Sequence, residues 1–183
     1  MADIGIGIRR ALLTDLSAIA EINNHYILTS VATFMEHPQP LESFVEAFHK
    51  IQIEGLPYLV AVEQSTNKLL AYANAHSFRG TKGAYRHTVE ITLYSHHEYT
   101  GRGVGSKLLG ALLDALRSPK DFPELFSDEA KGNARDVKQV LSVMALDVTT
   151  KDGGHALREF YGRFGFVLVG GIPWSPALSR VPR

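Results

Sequence analysis

Two runs decide how this chain is read: His87-Thr88-Val89-Glu90-Ile91-Thr92-Leu93-Tyr94-Ser95 and, shortly after, Gly101-Arg102-Gly103-Val104-Gly105-Ser106. In the first, Val89, Ile91 and Leu93 alternate with Thr88, Glu90, Thr92 and Tyr94, the period-two pattern of a strand with one apolar face. The second opens a periodic segment with Val104, Leu108, Leu112 and Leu116 at steps of four, flanked by Leu109 and Leu113, which predicts an amphipathic helix. Glycines between a strand and a helix let an anion approach bare backbone. The first-turn N–H groups and the positive end of the helix dipole then favour phosphate. Arg102 adds a candidate charge-assisted contact.

Two familiar phosphate motifs fail by one residue. A Walker loop needs Gly-Lys-Ser/Thr, and the order here is Gly105-Ser106-Lys107. A dinucleotide fingerprint wants its third glycine where Ser106 stands, and an early strand. A glycine-rich turn without a ligand is the plain alternative.

Outward from this centre, Ile4–Ile8 reads as a first strand. Thr14 is a plausible cap for a helix running through about Tyr26, and Leu41–Ile53 as a second helix, with Phe44, Val45, Phe48 and Ile51 inward. Tyr58–Val62 and Leu69–His76 form a hairpin around Ser65-Thr66-Asn67-Lys68. Residues 118–138, polar and Pro-bearing, read as a surface insertion with a short helix around 129–138. A strand over 140–146, a helix over 154–163 and a last strand over 165–169 follow, then an irregular tail from 172 to 183. The order β-α-α-β-β-β-α-β-α-β predicts one domain over 1–183, a mixed α/β sheet with helices on its faces.

Several stretches together resemble the GNAT superfamily of N-acetyltransferases, and within it the phosphinothricin/methionine-sulfone branch. They are Asn24-His25-Tyr26 with Thr33-Phe34, Ala84-Tyr85-Arg86-His87-Thr88-Val89-Glu90, the glycine run 101–106, and Phe160-Tyr161 with Gly165-Phe166. The resemblance implies a central twisted sheet whose middle strands splay, with acetyl-CoA as co-substrate in the cleft. Its pyrophosphate would rest on Gly101, Arg102, Gly103, Val104, Gly105 and Ser106, and its pantetheine arm along Leu93, Tyr94 and Ser95. It implies Glu90 as the base and Tyr161 as the donor to the departing thiolate. Arg79 would meet a substrate carboxylate and Phe34 would wall the pocket. The expected acceptor is a small amine of the phosphinothricin or methionine sulfoximine kind. Homodimerisation is common among relatives.

The chemistry fits. An α-ammonium has no lone pair with which to attack a thioester, so a base must take its proton; Glu90 is expected to be partly buried, which would lift a carboxylate above its ordinary ~4.3. Main-chain N–H groups near Leu93 would hold the oxyanion. Plainer alternatives stand beside these roles: a solvated strand carboxylate for Glu90, a core aromatic for Tyr161 or Phe34, a loop arginine for Arg79. Three features depart from the family. Thr100 stands where Arg or Gln usually opens the loop, Asp152-Gly153-Gly154-His155 offers no cofactor Asn, and the Pro-containing tail offers no clear closing strand. The rival readings are a non-catalytic acyl-CoA sensor, or an acetyltransferase acting on a protein N-terminus or lysine.

Composition bounds the rest. With 183 residues, 19 Lys+Arg against 19 Asp+Glu and 45% hydrophobic residues, the chain can bury a core and lacks the basic excess of a nucleic-acid binder. The absence of cysteine excludes disulfides, a thiolate nucleophile and Cys-ligated metals. His96-His97-Glu98 lacks the second histidine four residues on that a helical zinc motif needs, so no metal is expected. No signal peptide pattern, no myristoylation glycine (Ala2 follows Met1) and no apolar run near the ~20 residues of a membrane span are seen, so a cytoplasmic protein is expected.

Overall fold

The structure is a computed structural model that describes residues 5–80, 82–145 and 153–171. Its contacts divide into two units, Met1–Ala145 and Leu146–Arg183. The first holds a five-stranded sheet in the order β1-β2-β3-β4-β5: β1 (Ile6–Arg10), β2 (Tyr58–Glu63), β3 (Leu69–Ser77), β4 (Thr88–Ser95) and β5 (Gln139–Leu141). Neighbours are antiparallel except β4 and β5, which run parallel.

The hairpin expected between β2 and β3 forms. Glu63 N–H donates to Lys68 O at 2.9 Å, and Asn67 takes φ 57° in the turn, a left-handed conformation that Asn tolerates better than most residues. Both strands are buried on both faces, and the small side chains of Ala71, Ala73 and Ala75 are fully covered. α3 (Val104–Arg117) packs on the sheet through Val104, Leu108, Leu109, Leu112, Ala115 and Leu116, the stripe its period predicts. The other face meets α1 (Leu16–Thr29) and α2 (Leu41–Ile53): Asn23 Nδ2 donates to Tyr72 Oη at 2.9 Å, and the Phe48 and Tyr58 rings lie 5.7 Å apart.

The start of α1 differs from expectation. Thr14 is no cap; Leu13–Asp15 forms a single 3-10 turn, and the helix begins at Leu16 and runs on to Thr29. Asp15 organises the junction. Its carboxylate accepts the Leu12 N–H at 2.8 Å and the Arg9 guanidinium at 2.6 and 2.9 Å, tying β1 to the helix entry. Desolvation pushes the Asp15 pKa up, but the Arg9 and Leu12 contacts outweigh it and hold the carboxyl below its usual range.

Residues 118–138 are more than a surface insertion. Leu125, Phe126 and Ala130 are buried, and α4 (Asp128–Asn133), capped by Ser127 Oγ accepting from Ala130 N–H, packs against α2 and ends before the expected 138. The first strand, expected over Ile4–Ile8, runs from Ile6 on to Arg10, with Ile4 outside the described residues. The strand expected over 140–146 is short: β5 ends at Leu141, and Ser142–Ala145 have no strand pairing among the described residues. In the second unit α5 (His155–Gly162) forms as expected, whereas Phe166–Gly171 is not in a strand and the tail 172–183 lies outside the described residues.

Gly55 closes α2 with φ 69°, Leu56 N–H returning to Ile51 O at 3.1 Å. A Cβ there would collide with the Asn133 carbonyl at the end of α4. Gly55→Ala combines that overlap with a left-handed alanine, so we expect a loss of at least about 2 kcal/mol in urea denaturation.

Candidate active site

β3 borders β4 along its whole length, from Ser77↔Val89 to Ala71↔Ser95, whereas β5 pairs only with Thr88, Val89 and Glu90. Among the described residues, Ile91–Ser95 therefore has a ladder on one side alone. The strands part at Glu90, where the family resemblance implied that the middle strands splay.

Alternation sets what each face of β4 offers. Val89 and Ile91 are buried, while Glu90, Thr92 and Tyr94 point toward α1, where the Tyr94 and Tyr26 rings lie 5.2 Å apart. Opposite them on β3 stand His76, Asn74 and Tyr72. This face is polar but organised. Asn23 donates to Tyr72 Oη, and Tyr58 is hydrogen-bonded to Asn74. Tyr26 Oη donates to Ser95 O at 2.7 Å, and Tyr94 Oη to Ala32 O at 2.8 Å. Burial pushes the Tyr26, Tyr58 and Tyr72 hydroxyls above the ordinary phenol range, so they remain neutral donors.

The Glu90 side chain is 30% exposed, and its Oε1 lies 4.0 Å from His76 Nε2. The carboxylate thus sits half-buried at the parting of the strands. His76 went unnoticed in the sequence because the ten-residue link from Phe78 to His87 carries no turn signature that would fix the register of β3 against β4.

The glycine run forms the expected mouth. Gly101 and Gly103 take φ 73° and 78°, and neither has an atom within 4 Å of where a Cβ would sit. Gly103 caps α3. The first helical bond is Lys107 N–H to Gly103 O at 3.1 Å, so the N–H groups of Val104, Gly105 and Ser106 have no carbonyl earlier in the helix to reach. An open cradle of unpaired amides at the positive end of a helix of 14 residues fits a phosphate. Arg102 lies over the Tyr99 ring, 5.1 Å from its centroid, and Thr100 Oγ1 donates locally to His97 O at 3.1 Å.

Between α1 and the glycine run, His25, His97 and His96 stack at centroid spacings of 4.1 and 4.5 Å. Desolvation first, then the neighbouring His97 and Lys68, hold His96 below the ordinary imidazole pKa. His97 is exposed and His25 and His96 are part-buried at this junction. Among the described residues no group of three or more His, Cys, Asp or Glu side chains is disposed to hold a metal, and no helix is long and apolar enough to cross a membrane.

The remaining candidates fall apart in character. Phe34 is 70% exposed on the loop between α1 and α2. Arg79 takes φ 56°, with its guanidinium over the rings of Phe78 and Tyr85 at 5.5 and 5.8 Å. Tyr161, in the second unit, is 5% exposed and packs its ring edge-on against Phe160 and Phe166, the core-aromatic environment weighed against its functional role.

Comparison with known proteins gives one direction. A family model described as the acetyltransferase (GNAT) family matches residues 19–138. An L-amino acid N-acyltransferase of Escherichia coli is 35% identical over 61% of this chain and 63% of its own length. A methionine sulfoximine/methionine sulfone acetyltransferase of Pseudomonas aeruginosa is 32% identical over 91% of this chain and 83% of the relative. A phosphinothricin acetyltransferase from Sinorhizobium meliloti, solved with acetyl-CoA, superposes with a TM-score of 0.71 at 27% identity, covering 90% of this chain and 76% of that one. The chain spans about three fifths of the length of several of the curated relatives it matches. The parted strands, the amide mouth and these likenesses agree: the chain belongs to the acetyltransferase (GNAT) family.

Proposed function

We propose that the chain transfers the acetyl group of acetyl-CoA to the amino group of a small amino-acid-like substrate of the phosphinothricin or methionine sulfoximine kind, by direct attack in a ternary complex. One observation carries this reading: a half-buried carboxylate, Glu90, stands where β4 loses its second neighbour, on the strand that leads into an open cradle of backbone amides. The activities of the relatives supply the substrate class. A cytoplasmic location and a homodimer complete the reading on the family resemblance alone.

Bound in the cleft, acetyl-CoA supplies an acetyl group activated as a thioester. The amides of Gly101 to Ser106 hold its diphosphate without side-chain charge, so Thr100 in place of Arg or Gln weakens binding rather than removing it. The β4 backbone beyond Glu90 offers main-chain groups to a peptide-like arm. Glu90 takes the ammonium proton, directly or through one water. Tyr161 is the donor to the departing sulfur in this reading, its ring fixed by Phe160 and Phe166. Phe34, exposed on its loop, is available as an apolar wall, and Arg79 as a partner for a substrate carboxylate.

The deciding experiment is thiol release from acetyl-CoA against amino acids, sulfoximine and phosphinic analogues, polyamines and peptides. Turnover is expected with the amino-acid analogues; CoA binding with no turnover on any acceptor would leave the sensor reading. Glu90→Gln should retain CoA binding and lower kcat about 100-fold near neutral pH; an unchanged rate would remove Glu90 as base. Gly103→Val should lose CoA binding in calorimetric titration; its side chain meets open space, but a left-handed valine is strained, so a lower melting temperature with a native circular dichroism spectrum is expected alongside.

A further inference from the structure

We propose that His76 carries away the proton that Glu90 collects, so that the two side chains form a relay from the acceptor nitrogen to solvent. The inference rests on Glu90 being the base of the reaction proposed above.

Proton accounting creates the need. An ammonium acceptor carries three N–H bonds and the amide product carries one. As the N–C bond forms and the C–S bond breaks, two protons leave nitrogen; one ends on the thiol, and the other must reach water in every turnover. A carboxylate that kept it could not serve the next acceptor. Glu90 must therefore release the proton, to water directly or through a neighbouring base.

His76 is placed for that task. It stands directly opposite Glu90 in the antiparallel register of β3 and β4, so both side chains leave the sheet on one face as a cross-strand pair. Nε2 to Oε1 is 4.0 Å, within ion-pair range and longer than a hydrogen bond, so transfer takes a small side-chain rotation or one bridging water. Both side chains are part-exposed, 39% for His76 and 30% for Glu90, so the histidine has its own access to solvent. An imidazole accepts on one nitrogen and releases from the other, and its ordinary affinity for a proton exceeds that of a carboxylate by about two pH units.

The surroundings leave Glu90 as the charged group that faces it. On the β2 side Ala75 N–H bonds to Pro57 O, an apolar boundary, and its same-face neighbour Asn74 is neutral and bound to Tyr58. Glu54 and Arg135 both hydrogen-bond Ser77, whose side chain lies on the opposite face of the pleat. Arg79 is held over the rings of Phe78 and Tyr85. Among the described residues, Glu90 is the one ion-pair partner of His76.

The test compares wild type, His76→Gln, His76→Ala and Glu90→Gln with the best acceptor from the panel, recording kcat and KM across about pH 6–9, the range over which an imidazole changes charge. Glutamine keeps shape and hydrogen bonding but cannot accept and release a proton. His76→Gln should hold both KM values within about twofold and lower kcat about tenfold or more. Its pH profile should also differ from that of the wild type on the acid side, where a protonated imidazole can no longer accept the proton. Free imidazole should restore part of kcat in His76→Ala. A His76→Gln enzyme with wild-type kcat and pH profile, alongside a crippled Glu90→Gln, would overturn the relay and leave the proposed function standing. Loss confined to KM, or no rescue by imidazole, would mark His76 as a packing residue and equally overturn it. Normal rates in both Glu90→Gln and His76→Gln would remove the base beneath the relay as well.

Discussion

The structure turns on an asymmetry of hydrogen bonding around β4. β3 pairs with it from end to end, so its position and pleat are fixed. β5 accompanies it only as far as Glu90. Backbone groups that a complete sheet would have consumed are left along the strand that leads to the glycine mouth. A sheet edge of this kind is a hazard when it faces another chain, because it templates further pairing. In the function proposed above, the same unmet capacity would serve an extended, peptide-like ligand.

Keeping that strand in place demands rigidity elsewhere. One face of the sheet is close-packed against the apolar stripe of α3, with alanines on β3 giving the helix room to approach. The other face carries tyrosines that would be costly to bury unpaired. Each hydroxyl has a partner: Tyr72 through Asn23, Tyr58 through Asn74, Tyr26 and Tyr94 through main-chain carbonyls. These bonds tie α1 and the loop after it to the far end of β4. The half that lacks a β5 neighbour is thus supported from the side on which an acceptor would enter. Within this polar face Glu90 and His76 are the pair with ionisable side chains held close together, and both keep access to solvent.

The glycine mouth follows a different principle. It contains no obligatory cation: Arg102 leans on Tyr99, and Thr100 bonds within its own turn. What remains is the backbone itself, with two glycines in left-handed conformations and a helix start whose first amides have no carbonyl to reach. Such a site tolerates change in its side chains and very little change in its glycines.

The sequence by itself determined β4, α3 and the glycine mouth, because each depends on local periodicity or on the lack of a Cβ: the alternation around Glu90, the four-residue steps of α3 and the spacing of Gly101, Gly103 and Gly105 are properties of a few consecutive residues. It misread places where a partner far along the chain decides. Residues 118–138 looked like a surface insertion because their composition is polar, yet Leu125, Phe126 and Ala130 bury themselves. β5 stops at Leu141 although Val143 would suit a strand, since a strand needs a neighbour and β4 diverges there. The pairing of His76 with Glu90 and the stack of His25 on His97 were invisible for the same reason. Register across a ten-residue connection, and the seating of one helix on one face, are settled by packing of the whole sheet, which no short run of residues encodes.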